Sequence, residues 1–140
     1  LKTLLNLKIA MNEEINRAIK MAESYLSNSY SPYSGIKVAS VAITSDGKMF
    51  PGVNVENSSY GLTICAERVA IFRAVTEGYR RIKTIVVVSN HDEIYPCGAC
   101  LQVMAEFNVE EVYVASRNGV KRFKLSELLP RPFNLRAQRT

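Results

Sequence analysis

Three cysteines, Cys65, Cys97 and Cys100, are the residues of this chain best suited to do chemistry. They lie at the starts of stretches whose spacing predicts helices, and helix N-termini favour the thiolate form of a cysteine. Thiolates are zinc ligands, and the Cys-x-x-Cys spacing lets two sulfurs share one metal ion. Three protein ligands, where a closed structural site has four, would leave one zinc position open.

Glu67 follows Cys65 by two residues and falls in the first turn of the same predicted helix. A carboxylate placed there can lie over the open metal position without binding the metal, and can then act as a general acid and base. For an isolated glutamate at this place, interaction with the helix dipole or capping would be the simpler interpretation. The cysteines nearby favour the catalytic one.

Other interpretations of the cysteines stay open. A Cys-x-x-Cys before a helix is typical of redox dithiols, which would leave Cys65 without a role. His91 could complete a closed structural zinc site, although its neighbours Asp92 and Glu93 favour a surface loop. The three cysteines could also be buried and inert.

Asn54 and Glu56 lie two positions apart in a stretch that reads as the end of a strand. Side chains at such spacing point the same way, so an amide and a carboxylate could hold a hydroxyl or a diol between them. Polar residues after a strand are also ordinary loop residues. The pair therefore indicates a binding site only together with other signals.

Taken together, these motifs resemble the cytidine deaminase family, in particular its small homotetrameric type. The resemblance extends from about Tyr30 to Phe133 and is densest at residues 52–61, 65–68, 70–72 and 96–100. It implies a cytidine deaminase-like fold and one zinc ion per chain, bound by the cysteines. The zinc ligands that it implies are Cys65, Cys97 and Cys100.

The resemblance also implies roles for individual residues. Glu67 would shuttle protons, and Asn54 and Glu56 would bind the ribose, chiefly at its 3′ hydroxyl. Ala66 would belong to the substrate pocket. Arg68 would offset the excess negative charge that three thiolates leave on a divalent metal, although a solvent-exposed arginine on a helix face is the simpler alternative.

Some positions differ from the usual family pattern. Ile36 stands where an aromatic residue is common, so base stacking at this substrate position is in doubt. Ala39 replaces a common glycine, Tyr95 a serine, and Leu101 an arginine. Phe133 follows Leu128-Leu129-Pro130, as does the aromatic residue that reaches a neighbouring subunit's site in this family; anchoring its own terminus is the alternative.

The expected reaction is zinc-dependent hydrolytic deamination of cytidine and deoxycytidine to uridine and deoxyuridine, with ammonia released, in pyrimidine salvage. One alternative is a deaminase of the same fold that acts on another small aminopyrimidine such as blasticidin S. A polynucleotide deaminase is a further alternative. The last is a zinc-stabilised binding module without turnover.

Composition sets the protein's class. The chain has 140 residues, 47% of them hydrophobic, which suits one domain and excludes a disordered chain. Its net charge of +5 resides in the last twenty residues, with a basic tail from about residue 130, so the neutral body disfavours nucleic-acid binding.

No apolar run is long enough to span a membrane. An odd cysteine count and the absence of an export-like opening favour the cytoplasm.

Hydrophobic spacing predicts the elements that must position these residues. Helices are expected over Ile9 to Leu26, over 63–77 with Thr63 as N-cap, over Cys97 to Phe107 and as a turn at Ser126 to Leu129. Strands are expected over Val38 to Thr44, Met49 to Asn54, Ile82 to Ser89, Glu111 to Ser116 and Val120 to Phe123. This order predicts an α/β protein, a three-layer α/β/α sandwich around a mixed, mostly five-stranded sheet.

Overall fold

The computed structural model of the protein describes residues 12–138. The helices are α1 (Glu13–Tyr25), α2 (Ala66–Thr76), α3 (Gly98–Glu106), α4 (Leu125–Leu128) and α5 (Leu135–Gln138). The strands are β1 (Val38–Thr44), β2 (Met49–Val53), β3 (Ile82–Ser89), β4 (Glu111–Ser116) and β5 (Gly119–Lys124). Short 3-10 turns cover Leu26–Asn28 and Tyr60–Leu62. The predicted order of helices and strands is confirmed.

The five strands form one mixed sheet in the order β2-β1-β3-β4-β5. β3 and β4 run parallel, and the other neighbours are antiparallel. β3 lies at the centre, and its residues from Thr84 to Val88 are all buried. This confirms that the continuous β-branched run is covered on both faces. Between β1 and β2 the chain turns at Gly47, whose φ of 90° favours glycine.

Helices cover both faces of the sheet. On one face, α1 buries Ile15, Ala18 and Ala22 against β1 and β3. On the other face, α2 and α3 enclose a larger core in which Ile71 of α2 and Met104 of α3 are fully buried. Alternate residues of β1, β3 and β4 point into the two cores, as a pleated sheet requires. The predicted three-layer α/β/α architecture is confirmed.

The start of α2 differs from the sequence prediction. The helix begins at Ala66 with Cys65 as its N-cap, so Thr63 is not the cap. The Thr63 hydroxyl instead accepts a hydrogen bond from the Asn57 N–H at 3.1 Å. Because the intervening Ile64 pairs with an extended segment, the backbone stays extended until Cys65.

The first predicted helix corresponds to α1, which begins at Glu13 within the described part of the chain. Residues 9–11, which the prediction also included, lie outside the described residues. Among residues 12–138, none of the helices has the length and apolar character needed to cross a membrane.

Candidate active site

The N-termini of α2 and α3 bring the three cysteines together. Cys65 is the N-cap of α2, and Cys97 is the N-cap of α3, with Cys100 in the first turn of that helix. The Sγ atoms of Cys65 and Cys97 lie 3.8 Å apart, and those of Cys97 and Cys100 lie 3.5 Å apart. All three sulfurs lie within 4.8 Å of one another. The two helix starts therefore converge on one point.

A close backbone approach fixes the position of α2 on the sheet. A Cβ atom on Gly52, in β2, would lie 2.7 Å from the Ala66 carbonyl oxygen and 2.4 Å from the Ala70 nitrogen. Only a residue without a side chain lets the strand and the helix backbone come this close. Strand β2 thus sets the place of the helix that carries Cys65 and Glu67.

The electrostatics of the cysteine cluster suit a divalent metal. Hydrogen bonds from Cys100 and Arg68 lower the pKa of Cys65 to about 5. The hydrogen bond to Cys65, together with burial, raises the pKa of Cys100. The cluster therefore stabilises one thiolate, whereas further negative charge is repelled. A divalent cation would remove that repulsion, and a set of three sulfur ligands fits zinc.

Arg68 provides a positive charge beside the cluster. Its Nη2 atom donates to Cys65 Sγ at 3.5 Å, and this contact is the main reason that the pKa of Arg68 is raised. Its Nε atom is buried and has no hydrogen-bond partner among residues 12–138. The side chain is therefore held against the sulfurs rather than extended into solvent, and its charge-compensating role stays a prediction.

Glu67 is buried beside the sulfurs, with 3% of its surface exposed. Burial raises the pKa of Glu67 to about 7, and negative charge on Cys65 adds to the effect. A carboxyl group that titrates near neutral pH can both accept and return a proton. Glu67 thus lies in the first turn of α2, buried next to the cysteines, and its role as a general acid and base stays a prediction.

Asn54 directly follows β2, and only 9% of it is exposed. Its Oδ1 accepts a hydrogen bond from the Val38 N–H at 2.9 Å and another from the Ser29 hydroxyl. Its Nδ2 donates to the Ile36 carbonyl at 2.9 Å. These three bonds fix the orientation of the amide, and since Nδ2 carries two hydrogens, a second N–H can serve a ligand.

The Glu56 carboxylate is held by a neighbouring loop. Its Oε1 accepts hydrogen bonds from the backbone N–H groups of Tyr33, at 3.0 Å, and Ser34, at 3.1 Å, while Oε2 accepts one from the Ser34 hydroxyl. The Ser34 hydroxyl is the main cause of the lowered pKa of Glu56. Glu56 lines a surface depression of about 310 Å³, together with Tyr33, Ser34, Tyr60 and Thr63. An ionised acceptor therefore faces an open space.

Val55 connects the two parts of the site. It exchanges two backbone hydrogen bonds with Ile64, each 3.0 Å long, and Ile64 immediately precedes Cys65. Asn54 and Glu56 flank Val55, so the polar pair is tied through one bridge to the start of the metal-bearing helix. The structure thus links a candidate ligand-binding segment to a candidate catalytic centre.

Comparison with known proteins identifies the family of this chain. Residues 12–116 match the family described as the cytidine and deoxycytidylate deaminase zinc-binding region. The chain belongs to the cytidine and deoxycytidylate deaminase family. The match covers both segments that contain the cysteines, so the metal that this deaminase site binds is zinc, and Cys65, Cys97 and Cys100 form a cluster suited to hold it.

Individual relatives match over most of the chain. A "probable cytidine deaminase" of Dictyostelium discoideum is 47% identical over 126 residues, covering 87% of this chain and 85% of its own length. The cytidine deaminase of Halalkalibacterium halodurans is 43% identical, covering 82% and 90%. The crystal structure of cytidine deaminase from Burkholderia pseudomallei superposes with a TM-score of 0.78 at 42% identity, covering 84% of this chain and 98% of that one.

The remaining substrate-site predictions fall in different environments within this deaminase fold. Ala66 is fully buried in the main core, and Ile36 is half-buried and packs against that core. Phe133 is 60% exposed. Its backbone N–H donates to Gln102 Oε1 at 3.2 Å, and its carbonyl accepts from Gln102 Nε2 at 2.8 Å. Its predicted contact with a neighbouring subunit stays a prediction.

Two of the positions that depart from the usual deaminase pattern, Tyr95 and Leu101, make ordinary packing contacts. Leu101 is buried in the main core. Tyr95 packs edge-on against Phe123 and donates its hydroxyl to Glu93 at 2.7 Å. His91, the alternative fourth zinc ligand, is exposed and is not part of the metal-ligating group found among the described residues.

Sequence reasoning missed several residues that shape this deaminase site. Ser34 lies in a Ser-Pro-Tyr-Ser-Gly stretch whose composition marks only a break between elements. Gln102 lies within a helix, where its residue type signals no special contact. Gly52 lies within a strand, where a glycine is a general sign of a bulge or a close backbone approach but does not show which element approaches. All three act on residues distant in the chain, and no local pattern identifies those partners.

Proposed function

We propose that this chain catalyses the hydrolytic deamination of cytidine and deoxycytidine, giving uridine and deoxyuridine with release of ammonia. The observation that carries the proposal is the buried carboxyl group of Glu67 beside three convergent cysteine sulfurs. Relatives named cytidine deaminase, with 35–47% identity over most of the chain, support the same substrate class. The enzyme would be a hydrolase that acts on a C–N bond.

Cys65, Cys97 and Cys100 would hold the zinc ion. Zinc, when bound, supplies the Lewis acidity that makes water an effective nucleophile at neutral pH. Arg68, 3.5 Å from the Cys65 sulfur, offsets part of the negative charge of the three thiolates. The two helix N-termini act in the same direction.

Glu67 would move the protons of the reaction. It accepts a proton from the attacking water and delivers it to N3 of the pyrimidine as oxygen bonds to C4. It then passes the second water proton to the amino group, so that the C4–N bond breaks and ammonia leaves. A pKa near 7 suits both directions of transfer, because neither protonation state is strongly favoured at neutral pH.

Asn54 and Glu56 would bind the sugar. Asn54 can donate an N–H to a sugar hydroxyl, and a carboxylate oxygen of Glu56 can accept the hydrogen of the same hydroxyl. The 3′ hydroxyl is present in both cytidine and deoxycytidine, so neither substrate is excluded by these contacts. Ala66 and Ile36 would line the pocket that holds the pyrimidine base.

We further propose a homotetramer in which Phe133 contacts the site of a neighbouring subunit. Its exposed ring and the two hydrogen bonds that hold its backbone to Gln102 support a contact outside its own subunit. The exposed aromatic rings of Tyr33 and Tyr60, which line the depression, are suited to contact with a neighbouring subunit. A monomer with full activity in sedimentation and assay would contradict this assembly. Pyrimidine nucleoside salvage in the cytoplasm would be the setting.

One assay tests the reaction. Purified protein is incubated with cytidine, and the fall in ultraviolet absorbance is followed beside Glu67→Gln and the control Glu77→Gln, an exposed glutamate at the other end of α2. We expect about one zinc per chain in all three proteins. Turnover should fall by about 10²- to 10⁴-fold in Glu67→Gln alone.

The outcomes separate the competing functions. Turnover of blasticidin S without turnover of either nucleoside would contradict the substrate assignment. Zinc-replete protein that turns over none of these compounds would indicate a binding module. Preference for cytosine within single-stranded DNA or RNA would indicate a polynucleotide deaminase.

A further inference from the structure

Ser34 makes an unusual set of contacts with Glu56, a residue 22 positions further along the chain. Its backbone N–H donates to Glu56 Oε1 at 3.1 Å, and its hydroxyl donates to Oε2. The neighbouring Tyr33 N–H also donates to Oε1, at 3.0 Å. The carboxylate is therefore held by three donors from two consecutive residues.

The direction of the hydroxyl bond is fixed by a second contact. The Ile36 N–H donates to Ser34 Oγ at 3.0 Å, so this oxygen acts as an acceptor on that side. A hydroxyl has a single hydrogen, which is then directed at Glu56. Ser34 thus joins the loop that carries Ile36 to the carboxylate of Glu56.

The occupied positions on Glu56 show which of its oxygens is open to a ligand. A carboxylate offers about four acceptor positions, two on each oxygen. The two backbone N–H groups use both positions on Oε1, whereas Ser34 uses one on Oε2. The remaining position is on Oε2, in a side chain that lines the surface depression.

We propose that Ser34 is a positioning residue, which holds Glu56 so that Oε2 accepts the hydrogen bond of the sugar hydroxyl. The inference rests on the proposed function, since it assigns the sugar contact to Glu56. Ser34 itself does not take part in the chemistry. Its loss should weaken substrate binding and leave the deamination step nearly unchanged.

The test compares two nucleosides that differ only at the 3′ hydroxyl, 2′-deoxycytidine and 2′,3′-dideoxycytidine. In Ser34→Ala we expect KM for deoxycytidine to rise by about tenfold, the cost of one hydrogen bond to a charged group, with little change in kcat. The kcat/KM value for dideoxycytidine should stay at the parent level. Ser34→Thr, which keeps a hydroxyl, should restore most of the affinity for deoxycytidine.

A matched control is Ser116→Ala. The Ser116 hydroxyl accepts a hydrogen bond from the N–H two residues later, at 3.2 Å, as Ser34 does from Ile36, but at the end of β4. It should not change KM for either nucleoside. In the double variant Ser34→Ala/Glu56→Gln, KM should match that of Glu56→Gln alone. Both changes act on one contact, the hydrogen bond between Glu56 Oε2 and the sugar hydroxyl.

The outcomes distinguish this inference from the proposed function. If the parent protein deaminates deoxycytidine but Ser34→Ala lowers kcat/KM equally for both nucleosides, Ser34 has a general structural role and the inference is wrong. An unchanged KM, or effects that add in the double variant, would overturn it as well. A parent protein that turns over neither nucleoside would overturn the proposed function, and the inference with it.

Discussion

At one end of the site, which we call the metal end, Cys65, Cys97, Cys100 and Glu67 lie at the starts of two helices that pack on the sheet. Glu67 is 3% exposed, and Cys100 is fully buried. Helix geometry and core packing place these side chains. Arg68 and the helix N-termini favour a thiolate at Cys65, whereas burial disfavours the charged form of Glu67.

At the other end, the sugar end, Asn54 and Glu56 lie in an irregular segment next to the loop of residues 33–36. Here hydrogen bonds from backbone groups and serine hydroxyls, rather than packing, hold the polar side chains. The Glu56 side chain faces an open depression. The proposed roles thus assign the chemical step to side chains placed by helix geometry and packing, and the sugar contact to side chains placed by hydrogen bonds.

The largest expected effect removes a sulfur from the metal end. In Cys97→Ser, zinc affinity and turnover should both fall, because a serine hydroxyl does not ionise as a thiol does. The fall should exceed the roughly 100-fold loss that follows removal of a hydrogen-bond partner of a metal ligand. Metal analysis under chelator competition, with the deamination assay, measures both. Ala99→Ser in the same turn should keep its zinc. A Cys97→Ser protein with full zinc content would remove the basis of the proposed ligand set.

A second change disturbs the core that supports the metal end. Gly52→Ala would place a Cβ 2.4 Å from the Ala70 nitrogen, and we expect overpacking to cost about 1–3 kcal/mol of unfolding free energy and to lower turnover. Urea unfolding measures the loss. Gly61→Ala, where a Cβ meets nothing within 4 Å, is the control. Equal unfolding midpoints for Gly52→Ala and the parent would show that α2 can shift freely.

At the sugar end, Glu56→Gln should act on affinity. Loss of a charged acceptor should raise KM for cytidine by about tenfold, with kcat changed much less. Steady-state kinetics separate the two constants, and zinc content should stay at the parent level. Glu77→Gln serves as the isosteric control. A fall in kcat at constant KM would place Glu56 in the chemical step and abolish the distinction between the two ends.

The smallest expected effect concerns pH. Arg68→Gln removes a donor that lowers the pKa of Cys65, which is about 5 in the parent. The midpoint pH of zinc release should therefore rise by about one unit. Because zinc binds thiolates, and protons compete below the thiol pKa, the variant should release zinc at a higher pH than the parent. Zinc release during acid titration measures this shift. Arg73→Gln, one turn further along α2, should titrate like the parent.

Much of the fold could be predicted because its signals are local. The β-branched run of β3, the turn at Gly47 and the amphipathic spacing of α1 each report on a few consecutive residues. The start of α2 could not be predicted in this way. Thr63 is a good N-cap residue, but the pairing of Ile64 with Val55 keeps the chain extended for two more residues.

The candidate site divides in the same way. Residue type and spacing single out the cysteines and Glu67, because thiolates at helix starts can bind a metal and a carboxylate two positions away can lie beside it. The family resemblance added Asn54 and Glu56. The hydrogen-bond donors that hold Glu56 could not be found, since Ser34 lies 22 residues earlier and its stretch only marks a break between elements.

The sequence by itself determined which residues can bind a metal, carry protons and form helices or strands, because these properties belong to side chains and short segments. Tertiary structure alone decided that three sulfurs lie within 4.8 Å, that Gly52 admits α2 against the sheet, and that Ser34 faces Glu56. These contacts join segments far apart in the chain. They form only when burial of the two cores brings those segments together.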